Sequence, residues 1–124
     1  MKTGLILFAH GARDPRWAQP FEAVLARVRA QAPAQAVRLA FLEIMAPDLR
    51  GAADELVREG CGRIEVLPLF LGIGGHLRDD LPPMLDALRS RHPGLEVHLH
   101  GAAGAAASVI EALAAHAIEV ARAP

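Results

Sequence analysis

Residues 3–11, TGLILFAHG, decide the fold of this chain. The run is continuously apolar from Gly4 to Ala9, which is typical of a β-strand that is covered on both faces. Strands of this kind occur in parallel sheets, where crossover helices join neighbouring strands. The run ends on His10 and Gly11, and loops behind buried strands often carry functional side chains. We therefore expect a buried strand over 3–9 and a candidate functional loop directly after it.

Three more runs have the composition of strands and are bounded by turn residues. They are predicted over residues 37–42, 63–70 and 95–100. The last run alternates strictly between apolar and polar residues, which indicates one covered face and one wetter face. We therefore place the fourth strand at an edge of the sheet.

Helical spacing of apolar residues predicts a helix after each strand. The helices are expected over residues 16–32, from Pro47 to Gly60, from Asp80 to Pro93, and over about 105–121. Asp80 is expected to cap the third helix, because the two following prolines fit best in a first turn. In the fourth helix we expect one apolar face to pack inward, formed by Val109, Ile110, Leu113, Ala117 and Val120.

This order of elements, βαβαβαβα, predicts one domain over residues 1–124. Its fold class is α/β, with a doubly wound, four-stranded parallel sheet flanked by helices in a flavodoxin-like topology. Hydrophobic residues make up 52% of the chain and charged residues 22%, as in ordinary globular proteins. The formal net charge of −1 gives no overall footprint for nucleic acid or for an anionic membrane. No apolar run approaches the roughly 20 residues of a membrane span, so we expect a cytoplasmic protein without a membrane partner.

Ligands of doubly wound sheets bind beyond the carboxyl ends of the strands. His10 follows the first predicted strand, Glu43 the second, His76 the third and His100 the fourth. Imidazole is the commonest protein ligand for mid-row divalent metals, and imidazoles and carboxylates can also accept protons. A single histidine at a strand end is more often a packing residue, but two at one edge beside glycines favour a site. We predict that His10 and His76 handle a metal with Glu43 as their partner, and we leave His100 open.

A glycine-rich loop over 72–75 precedes His76. Its spacing matches neither of the common phosphate-binding loops. Asp79 and Asp80 are expected at the start of the next helix, where they would repel a phosphate group. We interpret Gly74 and Gly75 as room for a flat or bulky ligand to approach the backbone.

The tripeptide Ala9-His10-Gly11 invites a second reading. Histidine phosphatases carry their nucleophilic histidine after a strand within an Arg-His-Gly signature. Here Ala9 stands in the place of that arginine. A phosphoryl pocket needs several converging cations, and Arg13 alone is too few. Phosphatase activity is therefore the less favoured reading.

Several motifs follow one another in a fixed order along the chain. They are His10-Gly11-Ala12-Arg13-Asp14-Pro15, Phe41-Leu42-Glu43 with Pro47, Leu67-Pro68-Leu69-Phe70-Leu71, Gly75-His76 and Asp80-Leu81-Pro82. In this order and spacing they resemble the sirohydrochlorin chelatases of the short CbiX type, over roughly residues 4–85. Each motif alone would be a weak signal, and the combination is specific.

The resemblance implies a class II chelatase that inserts a divalent metal, cobalt or iron with nickel as a third candidate, into sirohydrochlorin. Such an enzyme serves cobalamin or sirohaem biosynthesis and needs no organic cofactor. In this family the two histidines corresponding to His10 and His76 handle the metal, and the glutamate corresponding to Glu43 assists. Longer members fuse two such lobes around a cleft, so a chain of 124 residues is expected to form a homodimer. Residues 101–104 lack the proline often found after the fourth strand, which leaves the part played by that loop open.

The substrate that the resemblance implies is a tetrapyrrole rich in carboxylates. Arg13, Arg16 and Arg78 lie beside the predicted site and could pair with those carboxylates, although exposed arginines are equally often solvated. A non-catalytic carrier of metal or tetrapyrrole would need the same histidines. Both an enzyme and a carrier are therefore compatible with the sequence.

Overall fold

In a computed structural model, the chain forms a parallel sheet with helices on both of its faces. The strands are β1 (Thr3–Ala9), β2 (Ala36–Phe41), β3 (Arg63–Pro68) and β4 (Glu96–Leu99). The helices are α1 (Gln19–Gln31), α2 (Leu49–Arg58), α3 (Gly75–Arg91) and α4 (Ala107–Arg122), with short 3-10 helices at Pro15–Ala18 and Ala103–Ala105. The structure describes the backbone of all 124 residues and every side chain except that of His76.

The strand order is β2-β1-β3-β4, and every neighbouring pair is parallel. This is the predicted flavodoxin-like order, and β4 lies at the edge where its alternating pattern placed it. The order of the chain reverses between β1 and β3, and ligands of such sheets bind at that switch point. The loop that carries His10 therefore begins at the position where the fold favours a site.

One face of the sheet carries a closed apolar core. Ile6, Phe8, Ile64 and Val66 have no exposed surface there. They pack against buried side chains of α2, such as Leu56, and of α3, such as Leu85. Burying one aliphatic or aromatic side chain of this size contributes roughly 1.5–3 kcal/mol, so this face supplies most of the driving force for folding.

The opposite face carries a smaller core. Leu7, Val37, Leu39 and Phe41 are buried against α1. The side chains that α1 itself contributes, including Phe21, are only partly buried. This second face is therefore covered less completely than the first.

The first two helices begin later than the sequence suggested. The helix predicted over 16–32 starts as a 3-10 turn and becomes α-helical at Gln19. The next helix starts at Leu49 rather than Pro47, because Asp48 caps it through a hydrogen bond from the Gly51 amide at 2.8 Å. Gly60, at φ 95°, follows the end of this helix as predicted.

The prediction that Asp80 caps the third helix is wrong. α3 begins at Gly75, and the Arg78 amide already donates to the Gly74 carbonyl at 3.0 Å. The two prolines at 82 and 83 therefore lie inside the helix, where proline is normally costly. The additional turn brings Leu77 against the core beside the buried Leu81, which offsets part of that cost. The glycine-rich loop thus leads directly into a helix N-terminus, contrary to expectation.

The predicted inward packing of the fourth helix is also wrong. No residue of α4 is buried, and Ile110, Leu113 and Val120 are 49%, 48% and 63% exposed. The apolar face exists at the expected spacing, but the helix does not lie on the sheet of its own chain. Among the described residues, no helix combines the length and the apolarity that crossing a membrane requires.

Candidate metal-handling site

His10 and Glu43 meet at the carboxyl edge of the sheet. His10 directly follows β1, and Glu43 lies two residues beyond the end of β2. The His10 Nε2 atom is 3.4 Å from the Glu43 Oε1 atom, and the two side chains are 52% and 56% exposed. The pair therefore presents a nitrogen donor and an oxygen donor side by side in a position that solvent and ligands can reach.

The backbones of the two loops fix this pair. The Leu42 amide donates to the Ala9 carbonyl at 2.9 Å, and the Glu43 amide donates to the His10 carbonyl at 3.1 Å. Gly11 has a φ of 101°, and a Cβ atom there would lie 1.9 Å from the Glu43 carbonyl oxygen. Only glycine allows this close approach, which explains why glycine follows His10.

The aromatic ring of Phe70 contacts His10 from the next loop. The two ring centroids are 6.2 Å apart, and the rings meet edge to face at 60°. Phe70 is itself partly buried against the larger core. The contact orients the imidazole without engaging its nitrogens, because an aromatic edge or face forms no strong hydrogen bond with them.

The third predicted site residue, His76, lies in the first turn of α3. Its backbone therefore follows the loop after β3 and belongs to the same edge of the sheet as His10. The side chain of His76 lies outside the described part of the chain. The described side chains bring together two members of the predicted set of three, His10 and Glu43.

The glycine loop before His76 leaves open space. No described atom lies within 4 Å of the position that a Cβ would take at Gly72, Gly74 or Gly75. Gly74 is the N-cap of α3 and Gly75 its first residue. Among the described atoms, the space beside these three glycines is therefore open, as an approaching ligand would require.

The three predicted arginines differ in their surroundings. Arg13 lines a cleft of about 370 Å³ together with residues of the loop after β2. Arg78 donates a long hydrogen bond of 3.4 Å to the Ile73 carbonyl. Arg16 is already engaged, because its guanidinium binds both carboxylate oxygens of Asp14 and holds the pKa of Asp14 below its ordinary value. Arg16 is consequently less available for a substrate carboxylate than the other two.

Two exposed apolar side chains lie on the loops at this edge. Ile44, next to Glu43, is 63% exposed, and Leu71, next to Phe70, is 75% exposed. Ile44 also adopts a φ of 69°, which is rare for a β-branched residue. Exposed apolar side chains beside a polar pair suit a ligand that is itself flat and apolar in its centre. Ile44, Leu71 and the contact of Phe70 with His10 were not predicted from the sequence. Phe70 is the last residue of the strand predicted over 63–70, Leu71 follows it, and Ile44 lies two residues after the strand predicted over 37–42.

His100, whose role the sequence leaves open, contacts a different carboxylate. Its Nε2 atom is 2.6 Å from Glu65 Oε2, in the middle of β3, and His98 lies 3.4 Å from the other oxygen of the same carboxylate. The hydrogen bond to His100 is the main cause that lowers the pKa of Glu65. His100 is therefore paired with Glu65 and not with the His10–Glu43 pair.

The loop that follows His100 packs tightly on the loop after β3, because the Gly104 amide donates to the Phe70 carbonyl at 2.8 Å.

Comparison with known proteins identifies relatives of the same fold. A solved structure described as a cobalamin biosynthesis CbiX protein, from Marinobacter aquaeolei VT8, has a TM-score of 0.83 and 31% identity over 98% of this chain and 99% of its own. The sirohydrochlorin chelatase SirB from Bacillus subtilis subspecies spizizenii, solved with cobalt, has a TM-score of 0.83 and 25% identity over 97% of this chain. The sirohydrochlorin ferrochelatase of Bacillus subtilis strain 168 is 26% identical over 91% of this chain.

The chain spans about half the length of the two Bacillus proteins, 51% of the first and 43% of the second. The family model named CbiX matches residues 4–120, which is nearly the whole chain. This chain belongs to the CbiX family.

Proposed function

We propose that this chain is a sirohydrochlorin metallochelatase, which inserts cobalt or iron, with nickel as a third candidate, into a carboxylate-rich tetrapyrrole. The observation that carries the proposal is the half-exposed pair of His10 and Glu43 at the carboxyl edge, with 3.4 Å between its donor atoms. The names of the two Bacillus relatives, a ferrochelatase and a chelatase solved with cobalt, support the same activity. The metal ion is a substrate here, so the site must release it as well as bind it.

His10 would hold the incoming ion. Neutral imidazole is a good ligand for cobalt, iron and nickel, and exposure of the ring leaves the other coordination positions of the ion open to water. The ring nitrogens of a tetrapyrrole can replace those waters one by one. A site with few protein ligands suits this transfer better than a closed cage of four, which would retain the ion.

Glu43 would accept protons. Insertion of a divalent ion displaces the two N–H protons of the macrocycle, and the carboxylate beside His10 can take each of them as a general base and pass it to water. Its position 3.4 Å from the imidazole also favours the positive charge that the bound ion brings. We assign His76 as a second metal-handling residue, because the loop after β3 delivers it to this edge.

The surroundings of the pair fit the shape and charge of the proposed substrate. Ile44 and Leu71 offer exposed apolar surface to a flat ring, and Gly74 and Gly75 leave room beside it. Arg13 and, more weakly, Arg78 would pair with peripheral carboxylates. Exposed pairs of this kind contribute little each, so we assign them to orientation rather than to tight binding.

We place this activity in one cytoplasmic domain, residues 1–124, that acts as a homodimer. A single edge offers one wall of a binding cleft, and a second copy would supply the opposite wall. The Bacillus relatives, of which this chain covers about half, are long enough to contain two lobes of this size.

The test is metal insertion by the purified protein, followed by the change in absorbance of sirohydrochlorin with cobalt or iron. We expect many turnovers per dimer, and a large loss of rate in His10→Ala and in His76→Ala. His92→Ala is the matched control, since His92 lies at the other end of the sheet, and it should retain the wild-type rate. Wild-type rates in both site variants would overturn the assignment. Stoichiometric binding without turnover would instead identify a carrier.

A further inference from the structure

The loop that carries Glu43 contains a strained turn. The Met45 amide donates to the Glu43 carbonyl at 2.7 Å, so these residues close a γ-turn with Ile44 at its centre. Ile44 has a φ of 69°, and every other residue with a positive φ in the described backbone is a glycine. A γ-turn with a positive φ at its centre is rare and strained, and a β-branched side chain makes this conformation less favourable still.

Neighbouring loops prevent the turn from relaxing. The Glu43 amide donates to the His10 carbonyl at 3.1 Å. The Glu43 carbonyl oxygen lies so close to Gly11 that a Cβ atom there would be 1.9 Å from it. Behind the turn, the Phe41 amide donates to the Pro47 carbonyl at 2.9 Å and closes the loop. The peptide that begins the turn is therefore held on both sides, and the strain stays at Ile44.

Packing within the chain does not offset this strain. Met45, the next residue, is partly buried against the smaller core. Among the described residues, Ile44 belongs to neither core and is 63% exposed. Glycine would adopt a positive φ at this position without the steric cost. Backbone strain that persists without a packing gain is typical of functional sites, so a contact outside the chain explains Ile44 better than folding does.

The position of Ile44 indicates what it contacts. It is the neighbour of Glu43, about 3.8 Å away along the chain. It lines a cleft of about 370 Å³ together with Arg13, and a second cleft of about 490 Å³ together with Glu43. A tetrapyrrole that turns its central N–H groups towards Glu43 is much wider than one residue step. Its ring must therefore also cover the adjoining residue, Ile44.

We propose that Ile44 is the substrate-contact residue on which the apolar face of the tetrapyrrole rests, and that the γ-turn holds it there at the expense of stability. The proposal rests on the function proposed above and deepens it by naming a determinant of substrate binding. Glu43 supplies the proton acceptor, whereas Ile44 supplies contact area. Loss of the Ile44 side chain should therefore weaken binding without slowing the chemical step, and should stabilise the fold.

The first test measures stability and uses neither metal nor tetrapyrrole. Glycine and asparagine accept a positive φ more readily than isoleucine, so the urea midpoint should rise in Ile44→Gly and in Ile44→Asn. Val24→Asn is the matched control, because it removes an exposed β-branched side chain at a negative φ in α1, and it should not raise the midpoint. A midpoint that falls in both Ile44 variants would overturn the proposal.

The second test separates substrate contact from a role that acts through Glu43. In Ile44→Gly and Ile44→Asn the KM for sirohydrochlorin should rise about tenfold, as for loss of about half the burial of an aliphatic side chain, and kcat should stay within about twofold. Ile44→Leu keeps an apolar side chain of the same volume and should restore most of the affinity. An unchanged KM, or a fall in kcat alone, would overturn the contact.

Titration with metal-free sirohydrochlorin, followed by its absorbance, separates this proposal from the proposed activity. The wild type should bind about tenfold more tightly than Ile44→Gly, whether the chain turns over or only carries its ligand. Equal dissociation constants, together with metal insertion by the wild type, would overturn the contact and leave the activity standing. A wild type that does not bind sirohydrochlorin would overturn both.

Discussion

At the carboxyl edge of the sheet, the Nε2 atom of His10 lies 3.4 Å from Oε1 of Glu43. Towards the opposite edge, the Nε2 atom of His92 lies 2.7 Å from Oδ1 of Asp54. The side chains of the first pair are about half exposed, and those of the second are 20% and 17% exposed. Asp54 also accepts hydrogen bonds of 2.8 and 2.7 Å from Arg91. Within the described part of the chain, the side chains of His10 and Glu43 form no hydrogen bond, and they meet each other only at an ion-pair distance.

A histidine and a carboxylate thus form both a closed pair, His92 with Asp54, and an open pair, His10 with Glu43. In the closed pair both carboxylate oxygens of Asp54 accept hydrogen bonds from the protein, so the pair links α2 to the end of α3 and has little capacity left for a ligand. In the open pair the imidazole nitrogen and the carboxylate keep free lone pairs in contact with solvent. The comparison indicates that spare capacity for a ligand distinguishes the candidate site from the closed pair, and the following predictions test this.

The largest effect is expected from loss of the open imidazole. His10→Ala should lower the rate of metal insertion by about 100-fold or more, the range for loss of a catalytic group. The melting temperature should change little, because the side chain is half exposed and buries little surface. Initial rates and thermal melts, with His92→Ala as the control, measure both quantities. A comparable loss of rate in the control would remove the distinction between the pairs.

Loss of the open carboxylate should have the next largest effect. Glu43→Gln keeps the shape of the side chain but removes its charge and its ability to accept a proton, so we expect a decrease in kcat of about 10- to 100-fold. Glu96→Gln, at the amino end of β4, is the control for removal of a carboxylate. An unchanged kcat in Glu43→Gln would exclude the role of proton acceptor.

The closed pair should affect stability instead of rate. Hydrogen bonds from Arg91 hold the pKa of the Asp54 carboxyl far below its ordinary range. Asp54→Asn should therefore lower the free energy of unfolding at pH 7 by about 1–3 kcal/mol and leave the insertion rate of the folded protein unchanged. Asp86→Asn, on an exposed pair, should change neither. Urea unfolding measures the difference.

The pH dependence of this difference has a definite sign. Because the pKa of Asp54 is depressed in the folded state, its stabilisation is complete above the unfolded value of about 3.9 and is lost as the pH falls further. The difference in unfolding free energy between wild type and Asp54→Asn should stay constant from pH 7 to about pH 4 and narrow below that. A gap that widens in acid would contradict the assigned role of Arg91.

The smallest effect should come from substitution of Arg13 or Arg16. These two arginines also differ in whether a carboxylate of the protein engages them. Arg13 lines a cleft that Glu22 also lines, but it forms no ion pair with a described carboxylate, while Arg16 is bound by Asp14. Arg13→Ala should raise the KM for the tetrapyrrole by about two- to fivefold, the range for an exposed ion pair. Arg16→Ala should raise it less. Steady-state kinetics at fixed metal concentration would show the order, and the reverse order would weaken the comparison.

Much of this fold follows from local sequence patterns. The apolar run after Gly4 predicted a strand covered on both faces, and the alternation around Val97 predicted an edge strand. Both predictions are confirmed. The predicted start of α3 at Asp80 was wrong. Two prolines suggested a first turn there, whereas packing of Leu77 against the core accompanies a helix that begins at Gly75. The prediction that α4 packs inward was wrong, because periodicity shows that a helix has an apolar face but not which surface covers that face.

The site was predictable to a similar degree. The rule that ligands bind at the carboxyl ends of strands was enough to select His10 and Glu43, and the structure places them 3.4 Å apart. The contact of Phe70 with His10 and the exposed side chains of Ile44 and Leu71 were missed, because contacts between loops depend on how the strands are ordered. The close approach of Gly11 to the Glu43 carbonyl likewise follows from tertiary structure alone.

A double-mutant cycle on the initial rate of cobalt insertion tests most directly that His10 and Glu43 act together on one ion. The rates of wild type, His10→Ala, Glu43→Gln and the double variant are measured under identical conditions. If the two residues act as a unit, the double variant should lose hardly more than His10→Ala alone, as found for coupled catalytic groups. Losses that multiply, or a wild-type rate in His10→Ala, would contradict the account.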